Sequence, residues 1–272
     1  MADRARHSAR DRIDTTKAHA ARVYDYLLGG KDHYDVDAEM GDALVARLPS
    51  LPITMRQNRL FMERVARYLA REEGVRQYLD IGTGLPTSPN LHELVQREVP
   101  DASVVYVDND PIVLAHAEAL LTSASPGRTA YVDADMREPE SILWAEEVRS
   151  LIDLGQPVAL TVIAVLHFIP PPLDHALVRR LVDPLPSGSF VALSMGTSDF
   201  SDEETSRDMV SQYERQGITV HPRTHAEASA FAEGLDLVPP GVLPVHHWRP
   251  DARQHGLADG DVAVYGFVAR KP

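Results

Sequence analysis

From Gln77 to Met195 the apolar residues fall into short runs bounded by turn residues, with stretches of helical period between them. The runs predict strands at 77–81, 103–108, 129–133, 158–165 and 189–195, and the stretches predict helices near 89–99, 111–121, 139–150 and 174–182. Asp110-Pro111 fixes one helix start, an N-cap followed by a first-turn proline. Such alternation implies a parallel sheet with helices on both faces and right-handed crossovers. A ligand then lies beyond the carboxyl ends of the strands, at the switch point beside the first. Past Met195 the rhythm breaks. Glu203–Gln216 reads as a helix, Thr224-x-x-Glu227 caps another that Gly234 ends, and 237–245 and 261–270 read as two strands joined by a long loop. Two strands in succession predict an antiparallel pair at the sheet edge.

Before residue 77 the pattern is helical. Thr16–Leu28 carries an apolar stripe of Ala21, Tyr24, Leu27 and Leu28, stopped by Gly29-Gly30. After the polar loop Lys31–Asp35, a second helix spans Val36–Leu48, closed by Pro49 and Pro52. A third opens with the capping box Thr54-x-x-Gln57 and runs to Gly74, with Met62, Val65, Ala66 and Leu69 facing the core. Arg56, Arg59, Glu63 and Arg67 line its other side, the pattern of a solvated charge row. The expected architecture is a doubly wound α/β sheet of about seven strands, mostly parallel with an antiparallel C-terminal edge. Residues 1–73 form a tail and helical cap, and 74–272 the sheet domain.

Composition narrows the chemistry. With 272 residues, 44% hydrophobic and 25% charged, the chain is an ordinary globular one able to bury a sizeable core. The longest apolar run, Val158–Ile169, is interrupted by Thr161 and His167 and is too short to span a bilayer. No secretory leader opens the sequence, so the expected location is cytoplasmic, with no membrane partner. The absence of cysteine excludes a disulfide framework, a thiolate zinc site and an iron–sulfur cluster. A formal net charge of −13 opposes a nucleic-acid partner, since that affinity comes from neutralising phosphates. The clustered basic residues Arg4, Arg6, Arg10, Arg12, Lys17 and Arg22 alternate with acids and read as a solvated tail.

The stretch Gln77-Tyr-Leu-Asp-Ile-Gly-Thr-Gly-Leu-Pro-Thr lies where this scheme puts its ligand. Gly82 and Gly84 permit a tight turn and the close approach of a ligand to the backbone. Ser88 and Pro89 then read as the N-cap and first position of a helix. The next strand ends in Asp108, a carboxylate beside the glycine loop that can accept from both ribose hydroxyls. The pattern points to a nucleoside cofactor, and Asp80 decides which. A dinucleotide would set its pyrophosphate at the helix N-terminus, where a carboxylate repels it. S-adenosyl-L-methionine carries no phosphate but has an ammonium group that favours an acid. Asp80-Ile-Gly-Thr-Gly followed by Val107-Asp108 resembles the first two motifs of the Rossmann-like S-adenosylmethionine-dependent methyltransferases. Ala21-Arg-Val-Tyr-Asp-Tyr-Leu-Leu-Gly-Gly-Lys-Asp, together with the two motifs, resembles a bacterial family of these enzymes with no assigned acceptor.

That resemblance implies methyl transfer to an oxygen or nitrogen of a small molecule, with S-adenosyl-L-homocysteine as product. It implies cofactor contacts from Asp80, Gly82, Thr83, Gly84, Asp108 and Asn109, adenine contacts from Asp135 and Met136, and a backbone approach at Gly30. It also sets Ala164–Pro170 beside the methyl donor. His167 there is either a general base or a side chain that bonds neighbouring backbone and packs on the cofactor. Base-methylating amino-group enzymes carry Asp or Asn before Pro-Pro-aromatic at this point; His-Phe-Ile-Pro departs from that and disfavours nucleic-acid bases. In the loop Gly29–Tyr34, Tyr34 or His33 is a candidate to shield the sulfonium or contact the acceptor, with the glycines as hinges. No metal site is expected: Pro222 separates His221 from His225, and His246 and His247, adjacent in a strand, would point to opposite faces. Two rivals stay open on the residues alone, a nicotinamide-dependent oxidoreductase and a non-catalytic nucleoside-binding module.

Overall fold

The computed structural model describes residues 14–120, 126–251 and 256–272; Arg4, Arg6, Arg10 and Arg12 of the basic cluster lie outside the described residues. Its strands are β1 (Gln77–Ile81), β2 (Ser103–Asp108), β3 (Arg128–Asp133), β4 (Ala159–Ile163), β5 (Phe190–Gly196), β6 (Asp236–Leu237), β7 (Leu243–Pro244) and β8 (Val264–Arg270). They form one sheet in the order β3-β2-β1-β4-β5-β8-β6, with β7 also paired to β8. The strands β1 to β5 pair in parallel, whereas β8 runs antiparallel to β5 from Phe190↔Arg270 to Gly196↔Val264. The mostly parallel sheet and its antiparallel C-terminal edge are as the periodicity predicts. The expected strand 237–245 is instead two short bridges, because Pro239-Pro240 interrupts the ladder.

The helices before the sheet are α1 (Ala20–Leu28), α2 (Asp35–Arg47) and α3 (Leu51–Arg71). Within it come α4 (Leu91–Glu98), α5 (Pro111–Leu120), α6 (Pro139–Leu143), α7 (Glu146–Leu151) and α8 (Leu173–Val182). After β5 follow α9 (Glu203–Arg215) and α10 (His225–Ala230). Local chemistry explains the shifted boundaries. Asn90, not Ser88, caps α4, its amide donating to Glu93 Oε2 at 2.6 Å. Thr54 is no cap either: α3 begins at Leu51, and the buried Thr54 hydroxyl donates to the Asp261 carbonyl and accepts from Ala263 N–H. Trp144 and Ala145 split the expected helix 139–150 in two. β4 stops at Ile163 because Ala164 takes a left-handed φ of 59°, turning the chain into a 3-10 turn at Leu166–Phe168.

Alternating side chains of the strands feed two cores. On one face Leu79, Ile81, Val105, Leu160, Val162 and Leu193 pack with Leu177 and Leu181 of α8. On the other, Tyr78, Val104, Tyr106 and Ala192 pack with Phe61, Val65 and Leu69 of α3 and with α4. The third helix is thus part of the sheet's own core, and the expected boundary at 73/74 is not a break in packing. A smaller apolar cluster joins α1 and α2 to Leu51, and Met209, Tyr213 and Ile218 pack against it from α9 and the turn beyond. These elements roof the carboxyl ends of β1, β2 and β4.

Candidate functional site

Beneath that roof lies a cavity of about 860 Å³, lined by the β1 turn, the ends of β2 and β4, α1, α3 and α9. Its floor is the glycine loop. Gly82 and Gly84 have φ of 69° and 68°, and a Cβ on Gly82 would stand 2.3 Å from Val165 Cγ2. At Gly84 a Cβ would meet no protein atom within 4 Å, so this glycine serves its backbone angle and leaves the space to a ligand. The loop is pinned by Gly82 N–H and Thr83 N–H donating to the Val107 carbonyl.

Asp108 accepts from Gly84 N–H at 2.8 Å through one oxygen and from Asp110 N–H at 2.9 Å through the other. Burial raises its pKa, and these amides hold the carboxylate in place. Asp80 accepts from the Thr161 hydroxyl at 2.5 Å; burial pushes it up to about 6 despite that bond. Asp135 is held far lower, to about 2, first by the Arg137 guanidinium that grips it and also by Asn109, whose amide donates at 2.8 Å. Met136 is buried beside it. Asp80, Gly82, Thr83, Gly84, Asp108, Asn109, Asp135, Met136 and His167 all line the one cavity.

Gly30 and Tyr34 do not line it. The loop carrying them folds back onto Asp25, whose Oδ2 accepts from Asp32 N–H at 2.9 Å and lies 3.2 Å from His33 Nδ1. A Cβ on Gly30 would strike the Asp25 carboxylate at 1.9 Å, which is why glycine stands there. Tyr34 is the N-terminal cap residue of α2, its amide donating to Asp37, and its ring lies under Arg22. The cap reaches the cavity through His19 and α1 instead. His19 Nδ1 sits 2.9 Å from Asp110 Oδ2; burial pulls this imidazole down, but Asp110 outweighs it and leaves the pKa raised.

Arg59 is the main residue the sequence pattern misassigned. It lines the cavity rather than facing solvent, with Nη2 donating to the Pro89 carbonyl at 2.6 Å and to the Thr87 carbonyl. Its Nε is buried without a hydrogen-bond partner, and its charge opposes the rise of Asp80. A half-buried cation with a buried, spare Nε–H near a desolvated carboxylate matches an amino-acid zwitterion. The residues therefore fit a nucleoside joined to an amino acid.

His167 is packed on Phe168, with ring centroids 4.2 Å apart, and its Nδ1 accepts from Gly196 N–H at 3.2 Å. Burial, aided by the nearby Arg223 charge, lowers its pKa to about 4. The ring is neutral and its second nitrogen, Nε2, carries the proton. Arg223 and Asp174 form a buried ion pair at 2.6 Å behind this segment, and Arg223 Nη2 donates to the Ile169 carbonyl at 2.7 Å. His246 and His247 are not in a strand but in a 3-10 turn; with Asp259 their donor atoms lie within 4.8 Å of one another, and none of the three lines the cavity.

A doubly wound sheet of this order, with a glycine loop flanked by two strand-end acids at its switch point, is a Rossmann-like fold whose switch point fits a nucleoside cofactor. The chain belongs to the S-adenosyl methyltransferase family, which matches residues 6–272. It is 54% identical to a DUF574 family protein from Streptomyces avermitilis, over 96% of this chain and 100% of that one, with a TM-score of 0.93. A Thermobifida fusca structure, solved as that of a candidate methyltransferase, is 35% identical over 95% of this chain and 96% of that one, with a TM-score of 0.87. None of the curated proteins matches the chain. The protein is an S-adenosylmethionine-dependent methyltransferase, and the nicotinamide-dependent and non-catalytic alternatives fall away. Among the described residues no helix is long and apolar enough to cross a membrane.

Proposed function

We propose that the protein methylates an oxygen or nitrogen of a small molecule. The observation that carries this reading is a cavity with two unlike walls. The lining brings together the glycine loop with the acids Asp80, Asp108 and Asp135, and an apolar group of Met55, Phe168, Met209 and Tyr213. A volume of about 860 Å³ lies near the top of the range for one small ligand, which leaves room for an acceptor beside the cofactor.

In this reading Asp80 and Arg59 hold the ammonium and carboxylate of the methionyl end. Gly82, Thr83 and Gly84 give backbone contact, Asp108 takes the ribose hydroxyls with Asn109 beside it, and Asp135 and Met136 take the adenine. Residues 74–272 supply all of these groups except Arg59, which comes from α3, and α1 and α2 act as the cap, through His19 rather than through the Gly29–Tyr34 loop. When bound, the cofactor supplies an electrophilic methyl group on a sulfonium. The chain's part is alignment and exclusion of water, which lower the barrier without covalent help. The test is incubation with methyl-labelled cofactor and a small-molecule extract. Label in low-mass products supports the reading, whereas label only in protein or nucleic acid overturns it.

A further inference from the structure

Among the polar side chains near the apolar wall of the cavity, Tyr24, His167 and Tyr213 have restricted hydrogen-bonding states. Tyr24 is spent: its hydroxyl donates to the Met55 carbonyl at 3.1 Å and accepts from Asn58 Nδ2 at 3.0 Å. His167 uses its lone-pair nitrogen on Gly196 N–H, so the atom left over, Nε2, is a donor with no protein partner among the described residues. The Tyr213 hydroxyl likewise has none there; burial pushes its pKa up to about 12, so it too is a neutral donor. Phe168 contacts both rings, with centroids 4.2 Å from His167 and 6.3 Å from Tyr213. Both residues line the cavity.

Two neutral donors beside an apolar wall suit a group that arrives acidic and reacts as an oxyanion. An ammonium gains nothing from two facing donors, and His167 has no spare lone pair to take its proton, since Nδ1 is occupied by Gly196 N–H. An aliphatic alcohol is too weak an acid. A phenol, with an ordinary pKa of about 10, is within reach of two donors and a neighbouring sulfonium charge. Resting on the methyltransferase reading, we propose that the Met55–Phe168–Met209–Tyr213 compartment takes an aromatic hydroxyl and holds it as the phenolate between His167 Nε2–H and Tyr213 O–H. The phenol's proton passes to solvent before transfer. A lone pair of the phenolate oxygen then forms the bond to the methyl carbon while the carbon–sulfur bond breaks. That bond's electrons stay on sulfur, giving an aryl methyl ether and S-adenosyl-L-homocysteine.

The experiment titrates phenol, 2-naphthol and 4-nitrophenol into the chain saturated with S-adenosyl-L-homocysteine and reads phenolate absorbance against pH. Turnover with S-adenosyl-L-methionine, with product masses, runs alongside, using anilines and primary alkylamines of matched shape as comparators. Phenols are expected to bind ionised below their free pKa and to give methyl ethers. Tyr213→Phe should raise the pH midpoint by about one unit, equivalent to about tenfold weaker phenolate binding at fixed pH. His167→Gln, which keeps a donor, should shift it less than His167→Ala. Phenols that bind only in the neutral form, or not at all, overturn the proposal, as does methylation confined to the amines. A midpoint unmoved in Tyr213→Phe overturns the assignment of that donor. Calorimetric binding of S-adenosyl-L-homocysteine separates the cases: with no heat, the cofactor reading itself has failed.

Discussion

Gly84 N–H donates to Asp108 Oδ2 at 2.8 Å, so the carboxylate assigned to the ribose also shapes the glycine loop. Asp108→Ala should therefore act twice. Loss of charge-assisted bonds to the ligand should cost about 2–4 kcal/mol, weakening S-adenosyl-L-homocysteine binding by about 30- to 1000-fold. Loss of the loop bonds should lower Tm modestly. Calorimetry on the folded variant checks the first; a dissociation constant within threefold of the parent's would exclude the ribose role.

Asp80 predicts a pH dependence. Its carboxyl is raised to about 6 in the ligand-free fold, so it is largely ionised at pH 7.5 and protonated near pH 5. The ligand's ammonium favours the carboxylate, so affinity is full above pH 6 and is lost as pH falls through it, by up to about tenfold per unit. For stability the sign is opposite: a raised carboxyl costs folding free energy as pH rises past its unfolded value near 4, so the ligand-free chain gains from acid at this site. Binding titrations from pH 5 to 8 check the first statement, and Asp80→Asn should flatten the curve. A Kd equally steep in pH in that variant would assign the effect to the His19–Asp110 pair.

Several of these groups were legible from the chain alone and others were not, for physical reasons. The acids Asp80 and Asp108 end strands of strong apolar pattern, and the glycines between them need backbone angles other residues avoid; both are local signals. Arg59 was illegible because a helix's period marks which face is polar but not whether that face meets bulk water or a cavity. The loop around Gly30 and Tyr34 carries the composition of a ligand site, yet Asp25 absorbs its donors through contacts that composition cannot encode. Thr54 failed as a cap for the same reason: a partner more than 200 residues away competes with the local pattern. Ala164 gives no sequence sign of its positive φ, which is strain at the cavity wall.

Gly82→Ala should be severe. The new methyl would collide with Val165, and the residue would have to hold a left-handed φ. The collision alone should cost about 1–3 kcal/mol, with cofactor affinity falling further as the loop shifts. Gly82→Ala combined with Val165→Ala should recover much of the stability and less of the binding. Full recovery of both would reduce the loop to a packing device.

Arg223 and Asp174 are a stability test. Both are buried, so removing one charge strands the other, and Asp174→Ala or Arg223→Ala should each cost about 3–5 kcal/mol in urea unfolding. The pair Asp174→Leu with Arg223→Met should cost less than either alone. Arg223→Met should also loosen the segment carrying His167, because the Ile169 carbonyl loses its donor. Equal stability of all four proteins would mean that the pair is solvated in solution.

The bond between Thr54 and the chain at Asp261 and Ala263 has a bearing on how the molecule is made. Arg64 of the same helix donates to the Trp248 carbonyl at 2.8 Å and to the Val245 carbonyl at 2.6 Å, so α3 is fastened twice to segments emerging nearly 200 positions later. On the ribosome, the helix that carries Arg59 and Asn58 waits with its inner side incomplete until those segments leave the exit tunnel. That helix also walls the cavity, so the cavity is completed only by segments near residue 263, and a ligand bound there is expected to stabilise a nearly finished chain rather than one still growing.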